Sequence, residues 1–168
     1  MHVTEVLADA FGRIREVVDE VVAGLSPEQL AFRPDGIGNS VGWLVWHLTR
    51  VQDHHLAAAA GTEETWISSG WAEQLGLPFD PSATGYGQAP DEAGALRVGS
   101  GAQLMAYHHA VCERSLRYVE TLDEADLDRI VDESFSPPVS LGTRLVSVIA
   151  DDLQHAGQAA YVRGLLPS

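Results

Sequence analysis

Asp151 and His155 place a carboxylate and an imidazole four residues apart within an otherwise apolar helical pattern. Residues at this spacing lie one above the other on a helix, so both side chains can reach one point. A buried carboxylate without a partner is costly, whereas a divalent cation compensates its charge and also binds a neutral imidazole. We therefore interpret the segment as part of a metal site.

A third ligand is expected on another helix, because metal sites in helical bundles use side chains that project inward from facing helices. His47 is the leading candidate, since it is a polar residue one turn from Trp43 on a largely apolar helical face. Asp152 competes with Asp151 for the carboxylate position, because it also shares a helix face with His155. The residue types alone leave this choice open.

The remaining histidines are weaker candidates for the same ion. His54 follows His47 by seven residues, which places it on nearly the same face but about 10 Å further along the helix axis. We expect it at the mouth of the cavity and His55 in solvent. One of His108 and His109 must face inward, and either could supply a ligand.

Composition limits the classes of partner. The chain has 168 residues, a net charge of −14 and no lysine, and its acidic residues are scattered rather than clustered. We expect a single domain over residues 1–168. Binding of nucleic acid is not expected, because a phosphate-binding surface needs clustered basic side chains.

The N-terminal segment and the single cysteine indicate a cytoplasmic protein. The first 20 residues contain several charges and no continuous apolar stretch, so a signal peptide is not expected. No segment is apolar for long enough to span a bilayer. Cys112 has no second cysteine to pair with, and we expect it to pack as a small apolar residue.

Four long amphipathic segments are predicted to form helices, and no segment convincingly predicts a strand. The predicted helices run from residue 3 to about 24, from 40 to 61, from 100 to 119 and from 140 to 164. A short helical turn is predicted after Ser26 and a short helix over Leu122 to Ile130. These elements predict an all-α, four-helix bundle.

A long irregular excursion is predicted between helices two and three. Glycine and proline interrupt any periodicity between about Gly61 and Gly99, although aromatic residues such as Trp66 and Tyr86 could anchor the segment. Loops of this length in a compact domain usually form lids or walls of functional sites. We therefore expect the excursion to cover the metal site.

The chain resembles the DinB-like superfamily of metal-binding four-helix bundles. The resemblance covers essentially the whole chain and rests on Trp46-His47-Leu48, on Leu-Ser-Pro-Glu-Gln at 25–29 and on Asp-x-x-x-His-x-Gly-Gln at 151–158, followed by Tyr161, Arg163 and Gly164.

In that family the last helix usually carries His-x-x-x-His-x-Gly-Gln, and helix two supplies a further histidine. The resemblance implies that His47 and His155 are metal ligands. Asp151 stands where the family has its first histidine, which favours it over Asp152. A carboxylate occupies this place in the mycothiol-dependent maleylpyruvate isomerases, which the chain also resembles in this respect.

The resemblance also implies cofactors and partners. Two histidines and one carboxylate suit zinc first, and also nickel, iron or manganese. An open coordination position would bind a low-molecular-weight thiol such as mycothiol or bacillithiol, whose thiolate attacks a small-molecule electrophile. The lysine-free composition is typical of GC-rich genomes such as those of actinobacteria, which favours mycothiol. Relatives often form homodimers.

The predicted surroundings of the site are Trp43, Arg50 and His54, which are expected to line the pocket, and Gln158, which could hold a ligand or a water molecule. No catalytic residue is assigned. The main interpretation is a metal-dependent, thiol-using S-transferase or isomerase. The alternatives are a hydrolase with a metal-activated water, a non-enzymatic, metal-stabilised stress or binding protein, and a metal-free bundle with a polar core.

Overall fold

A computed structural model describes residues 2–167 as a bundle of four long helices with shorter elements in the connections. The helices are, in chain order, α1 (Val3–Val22), α2 (Pro27–Leu30), α3 (Val41–Ala60), α4 (Thr65–Ser68), α5 (Trp71–Leu75), α6 (Pro90–Ala93), α7 (Gly101–Val119) and α8 (Leu141–Gly164). Helices α1 and α3 each pack against both α7 and α8. This architecture confirms the predicted all-α four-helix bundle.

Serine side chains begin three of the four long helices. The Oγ atoms of Ser40, Ser100 and Ser140 accept hydrogen bonds from backbone N–H groups three residues later, at 3.2, 3.2 and 3.3 Å. Such caps satisfy donors that have no partner inside the helix. Gly61 ends α3 in the left-handed conformation, with φ of 66°, as is common at helix C-termini. The predicted boundaries therefore agree with the structure.

The core is continuous between the four long helices. Buried residues recur every three or four positions along α1, at Leu7, Phe11, Ile14, Val18 and Val21. This spacing gives the helix an apolar stripe that faces the bundle interior. Cys112 on α7 is also buried and unpaired, as expected. In the part of the chain that is described, no helix combines the length and apolarity needed to cross a membrane.

The connection between α7 and α8 differs from the prediction. Instead of a helix over Leu122 to Ile130, it contains a single 3-10 turn at Asp126–Asp128. It also contains an unpredicted antiparallel pair of short strands, β1 (Ile130–Asp132) and β2 (Val139–Ser140). The Asp123 carboxylate accepts hydrogen bonds from the backbone N–H groups of residues 125 and 126. Such local bonds compete with helix formation.

The excursion between α3 and α7 is fixed to α3 by buried polar side chains. The Asp53 carboxylate accepts hydrogen bonds from the backbone N–H groups of Thr65 and Trp66, at 2.8 and 2.7 Å. The Tyr107 hydroxyl donates to the same carboxylate at 3.1 Å. The Trp66 indole then donates to the carbonyl of Pro81 at 2.9 Å. The excursion is therefore an anchored wall of the bundle.

His108 and Asp152 are ionisable side chains that lie in the interior of the bundle. His108 is fully buried, and its Nδ1 lies 2.9 Å from the Thr49 hydroxyl. Asp152 is also fully buried, and neither of its oxygens has a hydrogen-bond partner among residues 2–167. Burial, with the charge of Asp151 adding to it, raises the pKa of Asp152 well above its usual value.

The burial of His108 predicts a pH dependence of stability. Burial lowers its pKa from 6.5 to about 3, so between these values the unfolded chain binds a proton that the folded protein excludes. The free energy of unfolding should therefore fall as the pH falls through this window, by up to about 1.4 kcal/mol per pH unit from this residue. When the free energy of unfolding is measured by urea titration across this pH window, it should depend less steeply on pH in His108→Gln than in the parent protein. Equal pH dependence in the two proteins would contradict this role of His108.

Candidate metal centre

Helix α3 presents His47 at the inner side of the excursion. The side chain is only 5% exposed, and its Nδ1–H donates to the Thr84 carbonyl at 2.6 Å. The Trp43 ring stacks on the imidazole, with ring centroids 4.7 Å apart. Burial is the main cause that lowers the pKa of His47. His47 is therefore held in its neutral form, with Nδ1 engaged and Nε2 free to bind a ligand.

Helix α8 presents Asp151 and His155 beside His47. The His155 Nδ1–H donates to Oε1 of Gln158 at 2.9 Å, while its Nε2 lies 3.6 Å from Oδ1 of Asp151. The two imidazole centroids are 4.7 Å apart. One potential ligand atom from each of the three residues lies within 4.8 Å of the other two, so the group could hold a metal ion.

The donor set fits a divalent cation. Both imidazoles direct Nδ1 to a protein oxygen, which is the usual way in which outer partners orient metal-binding histidines. Oδ2 of Asp151 is buried and has no hydrogen-bond partner within the described chain. The neighbouring His155 imidazole lowers the pKa of Asp151, which keeps the carboxylate ionised. A cation would satisfy this oxygen and both free nitrogens.

Gly85 allows the backbone of the excursion to lie against His47. Its φ is +91°, and a Cβ atom at this position would lie 2.7 Å from Nδ1 of His47 and 3.0 Å from the Trp46 ring. Only glycine combines this backbone conformation with so close an approach. Gly85 therefore lets the neighbouring Thr84 carbonyl reach His47.

Replacing Gly85 with alanine is expected to weaken metal binding. The added methyl group displaces the excursion from His47 and breaks the hydrogen bond to Thr84, and the loss of such partners typically costs about 10–100-fold in affinity. Gly87→Ala is the matched control, because Gly87 also has a positive φ of +72° but a Cβ there meets no atom within 4 Å. Zinc titration calorimetry of both variants measures the difference, and equal affinities would contradict the role of Gly85.

A cavity of about 490 Å³ lies beside this cluster and opens toward solvent. Its lining includes the site residues His47 and Asp151, but not His155, and continues along the C-terminal half of α3 and the N-terminal half of α8. The other lining residues are Val51, His54, His55, Thr84, Tyr86, Asp132, Phe135, Arg144, Ser147 and Val148. This volume is within the range of pockets that take small molecules.

The four residues predicted to surround the site differ in whether they contact the ligand cluster, line the cavity or lie away from both. Trp43 contacts both histidines of the cluster but is absent from the cavity lining, and Gln158 orients His155. His54 lines the cavity and pairs with Glu64, which is 2.7 Å from its Nδ1. Arg50 differs from the prediction, because its side chain is fully buried beneath the excursion and is absent from the cavity lining.

The residues weighed as other ligands lie outside the cluster. His108 is in the core, and His109 pairs with Asp19 at 2.5 Å. Asp152 is buried in the interior, whereas its neighbour Asp151 joins the histidines. His55 was expected in solvent but lines the cavity and is partly buried, and burial lowers its pKa to about 4.

Several residues of the site were not predicted from the sequence. Gly85 and Gly87 form a Gly-Tyr-Gly segment in which both glycines have positive φ. This pattern in the sequence could have indicated a backbone conformation that favours glycine. Arg144 precedes Asp151 by seven residues, which places both on one face of α8. The contact between the Thr84 carbonyl and His47 had no signal, because it depends on how the excursion folds.

Comparisons with known proteins show the family and the fold. A family model described as the DinB superfamily matches residues 10–159. A crystal structure described as that of the conserved protein of a locus from Enterococcus faecalis superposes with a TM-score of 0.90 and 29% sequence identity. The match covers 97% of this chain and 96% of that chain. No curated protein matches the sequence.

Proposed function

Because this chain belongs to the DinB superfamily, we propose that it binds a divalent metal through His47, Asp151 and His155 and uses the site for thiol chemistry. The reaction class is an S-transferase or isomerase in which a low-molecular-weight thiol attacks a small-molecule electrophile. One observation carries the proposal: three ligand atoms lie within 4.8 Å of one another, and two of the residues, His47 and Asp151, line a cavity of about 490 Å³.

The protein residues hold and orient the donors. The Thr84 carbonyl and the Gln158 side chain each fix one imidazole by its Nδ1. Trp43 covers one face of His47 and is itself held by a hydrogen bond to Gln88 at 2.8 Å. This arrangement limits rotation of the His47 ring and keeps water from one side of the site.

Three protein ligands are typical of catalytic metal sites, in which at least one coordination position is left for an exchangeable ligand. A bound divalent cation would lower the pKa of a thiol there and hold it as thiolate. The donor set favours zinc, and nickel, iron and manganese accept the same donors. We propose a low-molecular-weight thiol of the mycothiol type, supported by the resemblance of the His/Asp/His set to mycothiol-dependent isomerases.

Cobalt substitution tests the proposal directly. Titration of the Co²⁺ protein with mycothiol should produce a sulfur-to-cobalt charge-transfer band in the near-ultraviolet spectrum. The Asp151→Ala variant should give no such band, whereas His54→Ala should keep it, because His54 lines the cavity without joining the ligand set. Retention of the metal without any band at saturating thiol would refute thiol binding and favour hydrolysis.

Activity assays separate an enzyme from a metal-stabilised binding protein. Consumption of model electrophiles should require both the metal and mycothiol. If thiol binding is observed but every electrophile is left unchanged while metal removal lowers thermal stability, the non-enzymatic alternative is favoured.

A further inference from the structure

Arg144 lies in the wall of the cavity at a distance from the candidate metal ligands. It precedes Asp151 by seven residues on α8, a rise of about 10 Å along the helix axis. Its side chain is 16% exposed and lies 2.7 Å from the Asp132 carboxylate. Nη2 is the guanidinium nitrogen that donates to this protein acceptor, so within the described residues most N–H groups of Arg144 remain available to a ligand.

Arg144 supplies the positive charge at this end of the cavity. The neighbouring His55 is kept neutral near pH 7, because burial and then the charge of Arg144 lower its pKa to about 4. The wall between Arg144 and Asp151 contains Val148, and Val51 faces it from α3. The cavity therefore joins the Arg144–Asp132 ion pair to the metal site through a partly apolar middle.

Asp132 orients Arg144 without occupying the whole guanidinium. Its Oδ1 accepts hydrogen bonds from the backbone and side chain of Ser134, at 2.9 and 2.6 Å, and Oδ2 accepts from Arg144. The carboxylate is thereby fixed and ionised, since the bonds from Ser134 lower its pKa. Its charge would repel a phosphate dianion more strongly than a single carboxylate. A monoanion is therefore the better match.

We propose that the cavity binds a ligand that carries a carboxylate held by Arg144, while a second donor of the same ligand reaches the position between His47, Asp151 and His155. This proposal rests on the proposed function, because it takes that second donor to be a sulfur atom. It narrows the ligand to a thiol with a free carboxylate, a group that bacillithiol carries and mycothiol lacks. Arg144 acts as a specificity-determining residue, since the guanidinium forms strong, charge-assisted hydrogen bonds with carboxylates.

The test uses ω-mercaptoalkanoic acids of graded chain length and the matched ω-mercaptoalcohols as probes of the Co²⁺ protein. The charge-transfer band measures the binding of each thiol. We expect the longer acids to bind about tenfold or more tightly than their alcohols, which is the factor expected for a charge-assisted hydrogen bond. The shortest acids should show no preference, because their carboxylates do not reach Arg144.

Variants identify the residue responsible. Arg144→Gln should abolish the preference for acids and leave the binding of alcohols unchanged, which also shows that the variant is folded. Arg144→Lys should retain part of the preference. Ser147→Ala is the matched control, because Ser147 lines the same wall without a charge, and it should keep the full preference.

The outcomes distinguish this proposal from the proposed function. If no thiol produces the band, thiol binding at the metal is refuted and the carboxylate site with it. If thiols bind but acids and alcohols are equivalent, or if Arg144→Gln keeps the preference, the assignment of Arg144 is wrong. Tighter binding of mercaptoalkyl phosphonates than of the carboxylates would overturn the assignment to a carboxylate.

Discussion

His155→Ala is expected to lower zinc affinity by more than about 100-fold, because even the loss of a residue that only orients a ligand costs about 10–100-fold. The substitution removes one of the three clustered donors and leaves Asp151 without the imidazole 3.6 Å from its carboxylate. Zinc should also cease to raise the thermal stability of the variant, because a ligand stabilises the folded state only to the extent that it binds.

His54→Ala is the control for this experiment. It removes an imidazole that lines the same cavity, but its Nδ1 is engaged by Glu64 rather than by the cluster. Calorimetric titration of the apo proteins should give near-normal zinc affinity for this control. Equal losses in both variants would mean that zinc binds elsewhere in the cavity.

Arg50→Met is expected to lower the free energy of unfolding by about 3–5 kcal/mol, the usual cost of breaking a buried ion pair from one side. The Arg50 side chain is fully buried and lies 2.6 Å from Glu64 and 3.8 Å from Asp53. Asp53 is itself buried, so loss of the guanidinium removes the cation next to its charge. Burial alone would raise the pKa of Glu64, but hydrogen bonds from His54 and Arg50 lower it.

Arg50 also acts on the metal site from a distance. Its Nε donates to the Ala83 carbonyl at 3.1 Å, next to the Thr84 carbonyl that fixes His47. We therefore expect Arg50→Met to weaken zinc binding as well as the fold. Arg50→Lys should recover part of the stability but not the bond to Ala83, since lysine lacks the second, diverging donor group.

Urea unfolding followed by circular dichroism measures the effect on stability. Arg13→Met is the matched control, because Arg13 pairs with Asp9 at 2.6 Å on the exposed side of α1. Such surface pairs contribute little, so this control should be close to the parent protein. A loss below about 1 kcal/mol for Arg50→Met, the size of a surface pair, would contradict the buried network.

The long helices could be predicted because their signals are local. Ser40, Ser100 and Ser140 cap helices with their own side chains, and Gly61 ends α3 in a conformation that glycine favours. The strand pair after α7 could not be predicted in this way. Its strands are only three and two residues long, which is too short for the alternating pattern of a strand to appear in the sequence.

The candidate ligands could be predicted because helix periodicity determines which residues share a face. That rule grouped Asp151 with His155, and the structure brings His47 to the same place. It left Asp152 as an alternative, since both spacings share a face. The position of Arg50 could not be predicted, because it depends on which part of α3 the excursion covers.

Metal content is the most direct test of the central claim that His47, Asp151 and His155 form a metal centre. The protein should be purified without a metal-affinity column and analysed by inductively coupled plasma mass spectrometry. A stoichiometric divalent metal in the parent protein, lost in His155→Ala and retained in His54→Ala, is the expected result. Absence of any divalent metal from the parent protein, together with no uptake of added zinc, would contradict the claim.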